Sequence, residues 1–362
     1  MAFPESTSDL VDRAPQQAVP WAMLHEDLLG SVFGCLSLRD RLCDASAVNR
    51  HWRDCKTAWT SLYLEDGDTA VAAIVQRIVV CSLESLTCWG DLTDAGLLHL
   101  SGLTQLRELL ISCITFTDSG LQHLATLKQL RSLAIPDCIL SNKGLRHVAS
   151  LEHLEHLNLT GCSGFTVRGL GRVTRALVRL QHLDLTDWHL TDGELTYLGS
   201  RLPIHLLRLN LSGSFRLQGP GLKVLSVRLV HLQHLDMQRC RGLTARGWQH
   251  VARMTHLRHL SLQHCRPITA AGWRDLSSLT HLQHLDVAAC GLVDTDLQHL
   301  SSLRELQHLD ISDCGNITEA GLEQLLLALP PDCEVLRDMS TPAERTLWIW
   351  AQSDQDEDEE EG

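Results

Sequence analysis

Ten times between Leu83 and Ile311 the chain returns to the spelling L-x-x-L-x-L or a close variant, from LESLTC at 83 and LRELLI at 106 to LQHLDV at 282 and LQHLDI at 306. Successive starts lie 23, 24, 24, 26, 26, 26, 25, 25 and 24 residues apart. A small or polar residue, often Cys, follows at the ninth position, and a Gly-Leu pair comes about five residues later, as at Gly96-Leu97, Gly120-Leu121, Gly144-Leu145, Gly169-Leu170 and Gly321-Leu322. Units this short cannot bury an apolar face alone, so neighbours must stack into one continuous core. Side-chain alternation along a short strand sends the fourth and sixth residues inward and the third, fifth and seventh to the open side. The Gly-Leu pair opens a short helix whose leucines face back into the core.

Ten consecutive units of this period identify a leucine-rich-repeat array. The expected fold is α/β, a right-handed solenoid or horseshoe over residues 59–338, with parallel strands inside the bend and helices outside. TSLYLED from Thr60 reads as a degenerate first rung whose helix comes from 70–80, since terminal units of a solenoid are atypical. At the other end Pro330-Pro331 stops the last helix. Cys333, Val335 and Leu336 then add a terminal rung, and in 339–362 Trp348 and Trp350 are placed to cover the open end before an acidic tail. Within the array Trp188 stands where other rungs have the internal Cys. Trp248 and Trp273 replace the Leu after Gly, as larger core fillers.

The formal charge is −13, but the tail residues Asp354, Asp356, Glu357, Asp358, Glu359, Glu360 and Glu361 supply seven of those charges and leave about −6 for the body. No basic surface is announced, which argues against nucleic-acid binding. No leader-like apolar core or long apolar run suggests secretion or a membrane span, so cytoplasmic or nuclear residence is expected. Of thirteen cysteines, Cys138, Cys162, Cys240, Cys265, Cys290 and Cys314 share one repeat position. They are expected as reduced residues in an internal ladder, each thiol bonding weakly to a turn backbone. No C-x-x-C pair argues for metal.

Residues 1–18 are a Pro-, Gln- and Ser-containing leader without periodicity. In 19–58 the texture becomes helical: Leu24, Leu28, Leu29, Val32, Phe33 and Leu36 mark one face, Asp40 can cap a second helix, and Leu42, Ala45, Val48 and Trp52 continue the pattern. Some forty residues make too small a core to stand alone, so this module must pack on the first rung or lend its apolar face to another protein. The run Leu24-His25-Glu26-Asp27-Leu28-Leu29, then Val32-Phe33, Leu36-Ser37-Leu38-Arg39-Asp40, Leu42, Ala45-Ser46, Val48 and Asn49-Arg50-His51-Trp52-Arg53 resembles an F-box motif. With the repeats behind it, the chain over about 20–338 resembles the F-box and leucine-rich-repeat family, in the subtype with Cys-containing repeats. His25 stands where the family usually has proline, and Asn49 where it often has Cys.

That resemblance implies a non-catalytic substrate receptor of a Skp1-cullin-F-box ubiquitin ligase, with no cofactor. Leu24, Leu28, Val32, Leu36 and Leu42 would face a Skp1-type adaptor, and the repeats would hold the protein to be ubiquitinated. A plain interaction scaffold is the rival reading, distinguished by failure to bind an adaptor. A GTPase-activating repeat protein is a third, but its units are longer than the 23 to 26 residues here.

On the open side, the third column runs Ser85, Glu108, Ser132, His156, His182, Arg208, His234, His259, His284, His308. The fifth ends Asp184, Asn210, Asp236, Ser261, Asp286, Asp310. Arg208, His234, Asp236, His259, His284, Asp286, His308 and Asp310 are therefore the candidate target-binding residues. Trp89, Leu110, Ala134 and Pro136 make a small apolar opening at the other end. Rungs roughly 4.8 Å apart place the imidazoles in a row. Mutual repulsion should resist their charging while the aspartates favour it, and contact with a target should make affinity change between about pH 5.5 and 7.5. Repeat duplication without special chemistry, a partner surface and a zinc site of two His with an Asp all remain open for this row. No nucleophile with a positioned base stands out, so no catalytic residue is assigned.

Overall fold

The computed structural model describes residues 61–64, 68, 71, 83–90, 92–112, 115–265 and 268–337. The expectations for the leader, for the F-box-like face Leu24, Leu28, Val32, Leu36 and Leu42, and for Trp348, Trp350 and the acidic tail lie outside the described residues.

Twelve parallel strands form one sheet in chain order. They are β1 (Ser61–Leu64), β2 (Ser85–Trp89), β3 (Glu108–Ser112), β4 (Ser132–Ala134), β5 (His156–Asn158), β6 (His182–Asp184), β7 (Arg208–Asn210), β8 (His234–Asp236), β9 (His259–Ser261), β10 (His284–Asp286), β11 (His308–Asp310) and β12 (Glu334–Leu336). Between β2 and β12 each strand is followed by a helical segment: α1 (Asp94–Leu100), α2 (Asp118–Leu124), α3 (Gly144–Val148), α4 (Val167–Ala176), α5 (Asp192–Gly199), α6 (Leu222–Arg228), α7 (Ala245–Val251), α8 (Ala270–Leu276), α9 (Asp294–Leu297) and α10 (Glu319–Ala328). Each third residue pairs with the third residue of the next rung, as in Glu108↔Ser132 and His234↔His259. The degenerate rungs at both ends are present as β1 and β12, paired to β2 and β11.

Leu109, Leu133, Leu157, Leu209, Leu235 and Leu309 are all buried, with the helix leucines Leu97, Leu121, Leu145 and Leu170 packed behind them. Trp248 and Trp273 lie fully inside the stack. The column cysteines are buried and form no disulfide among the described residues. Several thiols donate across to the preceding rung, Cys162 to Ile135 O, Cys265 to Met237 O and Cys290 to Leu262 O, each at 2.9 Å, while Cys138 donates to Pro136 O of its own rung at 3.4 Å. Burial pushes the Cys240 thiol up to about 12 and that of Cys265 well above its usual range, so both stay protonated donors. In rung five the half-buried Trp188 does the same work, its Nε1 donating to Leu159 O at 2.9 Å while its ring packs on Phe165.

The seventh column departs from the expected alternation. Trp89 is exposed, but Ser212, Ala288 and Ser312 are buried. From β4 onward the strands end at the fifth residue, and the eighth takes a left-handed backbone: φ is 57° at Asp137, 62° at Asp187, 59° at Arg239, 58° at His264, 55° at Ala289 and 57° at Asp313. Glycine occupies the same position at Gly161 and Gly213. At this turn the seventh side chain is covered, as at Ser212, Ala288 and Ser312, or reaches back to the fifth column, as the Thr160 and Thr186 hydroxyls do in donating to Asp184 Oδ1. The residue types filling the eighth position are too varied to announce it.

The Gly of the Gly-Leu pair also has a reason that periodicity did not supply. Asp94, the first residue of α1, accepts the Thr117 N–H on Oδ1 and the Thr117 hydroxyl on Oδ2, both at 2.7 Å. Thr117 is the N-cap of the next helix. Asp68 serves Thr93, Asp118 serves Ser141 and Asp294 serves Thr318 in the same manner. A Cβ on Gly120 would lie 2.4 Å from Asp94 Oδ1, and one on Gly144 2.3 Å from Asp118 Oδ1. Only glycine leaves room for this clasp.

Candidate functional site

The strands put their third and fifth residues along one trough of about 1050 Å³ that runs from Glu84 and Ser85 to Glu334 and Leu336. Arg208, His234, Asp236, His259, His284, Asp286, His308 and Asp310 all line it, half-buried rather than open. Short strands bring this about: a three-residue strand of the form His-Leu-Asp commits only its middle residue to the core.

The imidazoles stack. Ring centroids are 3.9 Å apart for His234 and His259, 4.0 Å for His259 and His284, and 4.4 Å for His284 and His308, with planes tilted by 18°, 9° and 14°. His156 and His182 make a separate pair at 3.9 Å, and Arg208 stands between the two groups. Burial, followed by repulsion from neighbouring imidazoles, lowers His259 to about 3 and His234 far below its usual range. Burial and His308 bring His284 to about 4, and burial, His156 and Arg208 bring His182 to about 3. The expected competition between aspartates and repulsion is therefore not balanced: desolvation dominates, and His182, His234, His259 and His284 are neutral near pH 7. Titration between pH 5.5 and 7.5 is not a property of these four rings. His234 Nδ1 is buried and has no hydrogen-bond partner among the described residues.

The fifth column has a structural task that sequence reasoning missed. Asp184 Oδ1 accepts the Thr186 N–H at 2.8 Å, Asp310 Oδ1 that of Ser312 at 2.8 Å and Asp286 Oδ1 that of Ala288 at 3.0 Å. Asn158 and Asn210 do the same for Thr160 and Ser212. These Asx turns end β5, β6, β7, β10 and β11, and the recurrence of Asp or Asn at one offset was their signal. Along the column Asn210 Nδ2 donates to Asp184 Oδ2 at 3.2 Å and Ser261 Oγ to Asp286 Oδ2 at 3.1 Å. Asp236 lies between these two pairs, and burial, then Asp184 and Asp286, push its carboxyl up to about 7 against the pull of Arg208.

At the far end of the column His308 Nδ1 meets Glu334 Oε2 at 3.0 Å, and at the near end Arg107 pairs with Glu84 at 3.4 Å. Leu110 and Ala134 are half-buried on the same face, beside the exposed Trp89. Among the described residues no group of three or more His, Cys, Asp or Glu is placed to hold a metal ion, and no helix is long and apolar enough to cross a membrane.

No curated protein matches the chain. Among solved structures, an internalin (inlF) from Listeria monocytogenes is similar at 16% identity and TM-score 0.46, over 84% of this chain and 94% of that one. The yeast Rad7 and Elc1 complex is similar at 14% identity and TM-score 0.44, over 88% of this chain and 94% of that one. A family model described as "Leucine Rich repeat" matches residues 302–326. The model described as "SKP2 LRR domain" matches residues 73–302. A match of that extent, on the stacked rungs just described, assigns well over half of the sequence, and the chain belongs to the SKP2 LRR domain family.

Proposed function

We propose that this chain is the target-holding subunit of a Skp1-cullin-F-box ubiquitin ligase. In this reading residues 19–58 dock a Skp1-type adaptor through Leu24, Leu28, Val32, Leu36 and Leu42, and the trough holds a protein to be ubiquitinated. The chain itself supplies no chemistry and works in the cytoplasm or nucleus. The observation that carries the proposal is the order of parts: an SKP2-type repeat domain comes directly after a stretch spelled like an F-box. The half-buried trough, lined with side chains that the core does not require, supports the second half of the reading.

The test is a pull-down of purified full-length chain with a Skp1-type adaptor. Binding is expected for the native chain and loss for Leu24→Asp with Leu28→Asp, because a charge buried unpaired in an apolar contact costs several kcal/mol, on the order of the penalties for buried ions. A native chain that keeps its fold, shown by far-ultraviolet circular dichroism, yet captures no adaptor would leave an interaction scaffold without a ligase role.

A further inference from the structure

Between β6 and β11 the trough carries Asp184, Asp286 and Asp310, joined by Asp236 as pH rises through about 7, against one guanidinium, Arg208. The imidazoles do not correct that imbalance: His182, His234, His259 and His284 are all held neutral near pH 7. This half of the sheet face is therefore electronegative, and a recess concentrates such a field more than a flat surface does. Asp286 and Asp310 are also fixed in place, held by the amides of Ala288 and Ser312. A cation meeting them has little side-chain entropy to remove. Among the described residues of this stretch an anionic segment would find one guanidinium, Arg208, which lies between Asp184 on β6 and Asp236 on β8.

We propose that the trough over β6 to β11 accepts an extended segment of a partner protein bearing lysine or arginine side chains, its cations seated over Asp236, Asp286 and Asp310. The proposal rests on the reading of the trough as the target-holding surface, and adds the chemistry of what it holds. Neutral imidazoles along the same line offer the segment a row of hydrogen-bonding groups. Asp236 adds a pH response. It faces His234 on its own strand, Arg208 and Asn210 from β7, and His259 and Ser261 from β9, with Asp184 and Asp286 one strand further out. A cation favours the ionised carboxylate, so binding expels a proton and tightens as pH rises through about 7.

The experiment measures fluorescence anisotropy of labelled peptides on the full chain at low ionic strength, one alternating lysine with serine and one alternating glutamate with serine. The acidic run from Asp354 attracts lysine anywhere, so the comparison that decides is made within the trough. Asp236→Asn with Asp286→Asn and Asp310→Asn removes the negative charge from all three seats, and Asn158 and Asn210 already accept the kind of turn amide that Asp286 and Asp310 hold. The lysine peptide is expected to bind the triple variant about tenfold more weakly. Asn210→Asp should bind it more tightly, and Asp236→Asn should lose the rise between about pH 6 and 8. If the triple variant fails to fold, Asn210→Asp and the pH profile still decide. Preference for the glutamate peptide, abolished by Arg208→Gln, would overturn the cation assignment and leave the trough as the target surface. If neither peptide's affinity responds to any trough substitution, both the assignment and the target-surface reading fall.

Discussion

Replacing Gly120 by Ala in α2 should destabilise the protein, although the same change normally stabilises a helix by about 1 kcal/mol. The new Cβ would stand 2.4 Å from Asp94 Oδ1 and 2.7 Å from Leu97 Cδ1. Asp94 must then swing away and give up both hydrogen bonds from Thr117. At about 1 kcal/mol each, more when the acceptor is charged, those bonds contribute about 2–3 kcal/mol. Subtracting the helix gain leaves a net loss of about 1–2 kcal/mol. Gly193→Ala in α5 is the control, because nothing lies within 4 Å of its added Cβ. It should stabilise by about 0.4–1 kcal/mol.

Urea unfolding followed by circular dichroism and by the fluorescence of the buried Trp248 and Trp273 measures both, with the slope checked for constancy so that midpoints report stability. Asp94→Ala supplies the second arm. In that background Gly120→Ala should lose most of its cost and keep only what the contact with the buried Leu97 Cδ1 imposes, a coupling of about 2 kcal/mol between the two sites. If Gly120→Ala and Gly193→Ala shift the midpoint alike, or if Asp94 makes no difference, the clasp is not what selects glycine.

Leu235→Ala, at a wholly buried strand position, should cost about 2–5 kcal/mol by the same assay, and an unchanged midpoint would place that leucine outside the core. Ala289→Gly should raise stability by about 1 kcal/mol, because Ala289 holds φ at 55° and only glycine adopts that region without a penalty. Thermal unfolding should show a midpoint that falls as pH is lowered from about 6.5 toward 4. The depressed pKa values of His182, His259 and His284 mean that the unfolded chain binds more protons in that window. Asp236, shifted upward, opposes the trend as a single group, so Asp236→Asn should steepen it.

Much of the solenoid was legible because the leucine spelling encodes strand, register and inward face together, and each rung repeats the message. The terminal strands β1 and β12 could be read even in degenerate sequence, since Leu62, Leu64, Val335 and Leu336 keep the spacing. What could not be read depends on contacts between rungs. The Asp94–Thr117 clasp joins residues 23 apart, so a glycine that looks like a helix starter is selected by a carboxylate in the preceding unit. The candidate site was half legible in the same sense. The histidine and aspartate columns were placed on their face by alternation, but the charge state of a stacked ring depends on how far it is buried. The turn-forming role of Asp286 and Asp310 was available from the repeated offset, and was hidden by reading the carboxylates only as partners for a target.

The unequal rungs have a consequence for how such a surface can change over time. Paired residues lie 24 apart between Ser132 and His156 but 26 apart between His156 and His182, yet both pairs are in register. The slack is absorbed behind the sheet, where α3 has 5 residues and α4 has 10. Insertions and deletions can therefore accumulate on the outer arc without moving a single residue of the trough out of line. Conversely, one substitution at a third position alters one letter of the inner face without touching the turn amides that the fifth column holds, so recognition and architecture can drift independently within a single rung.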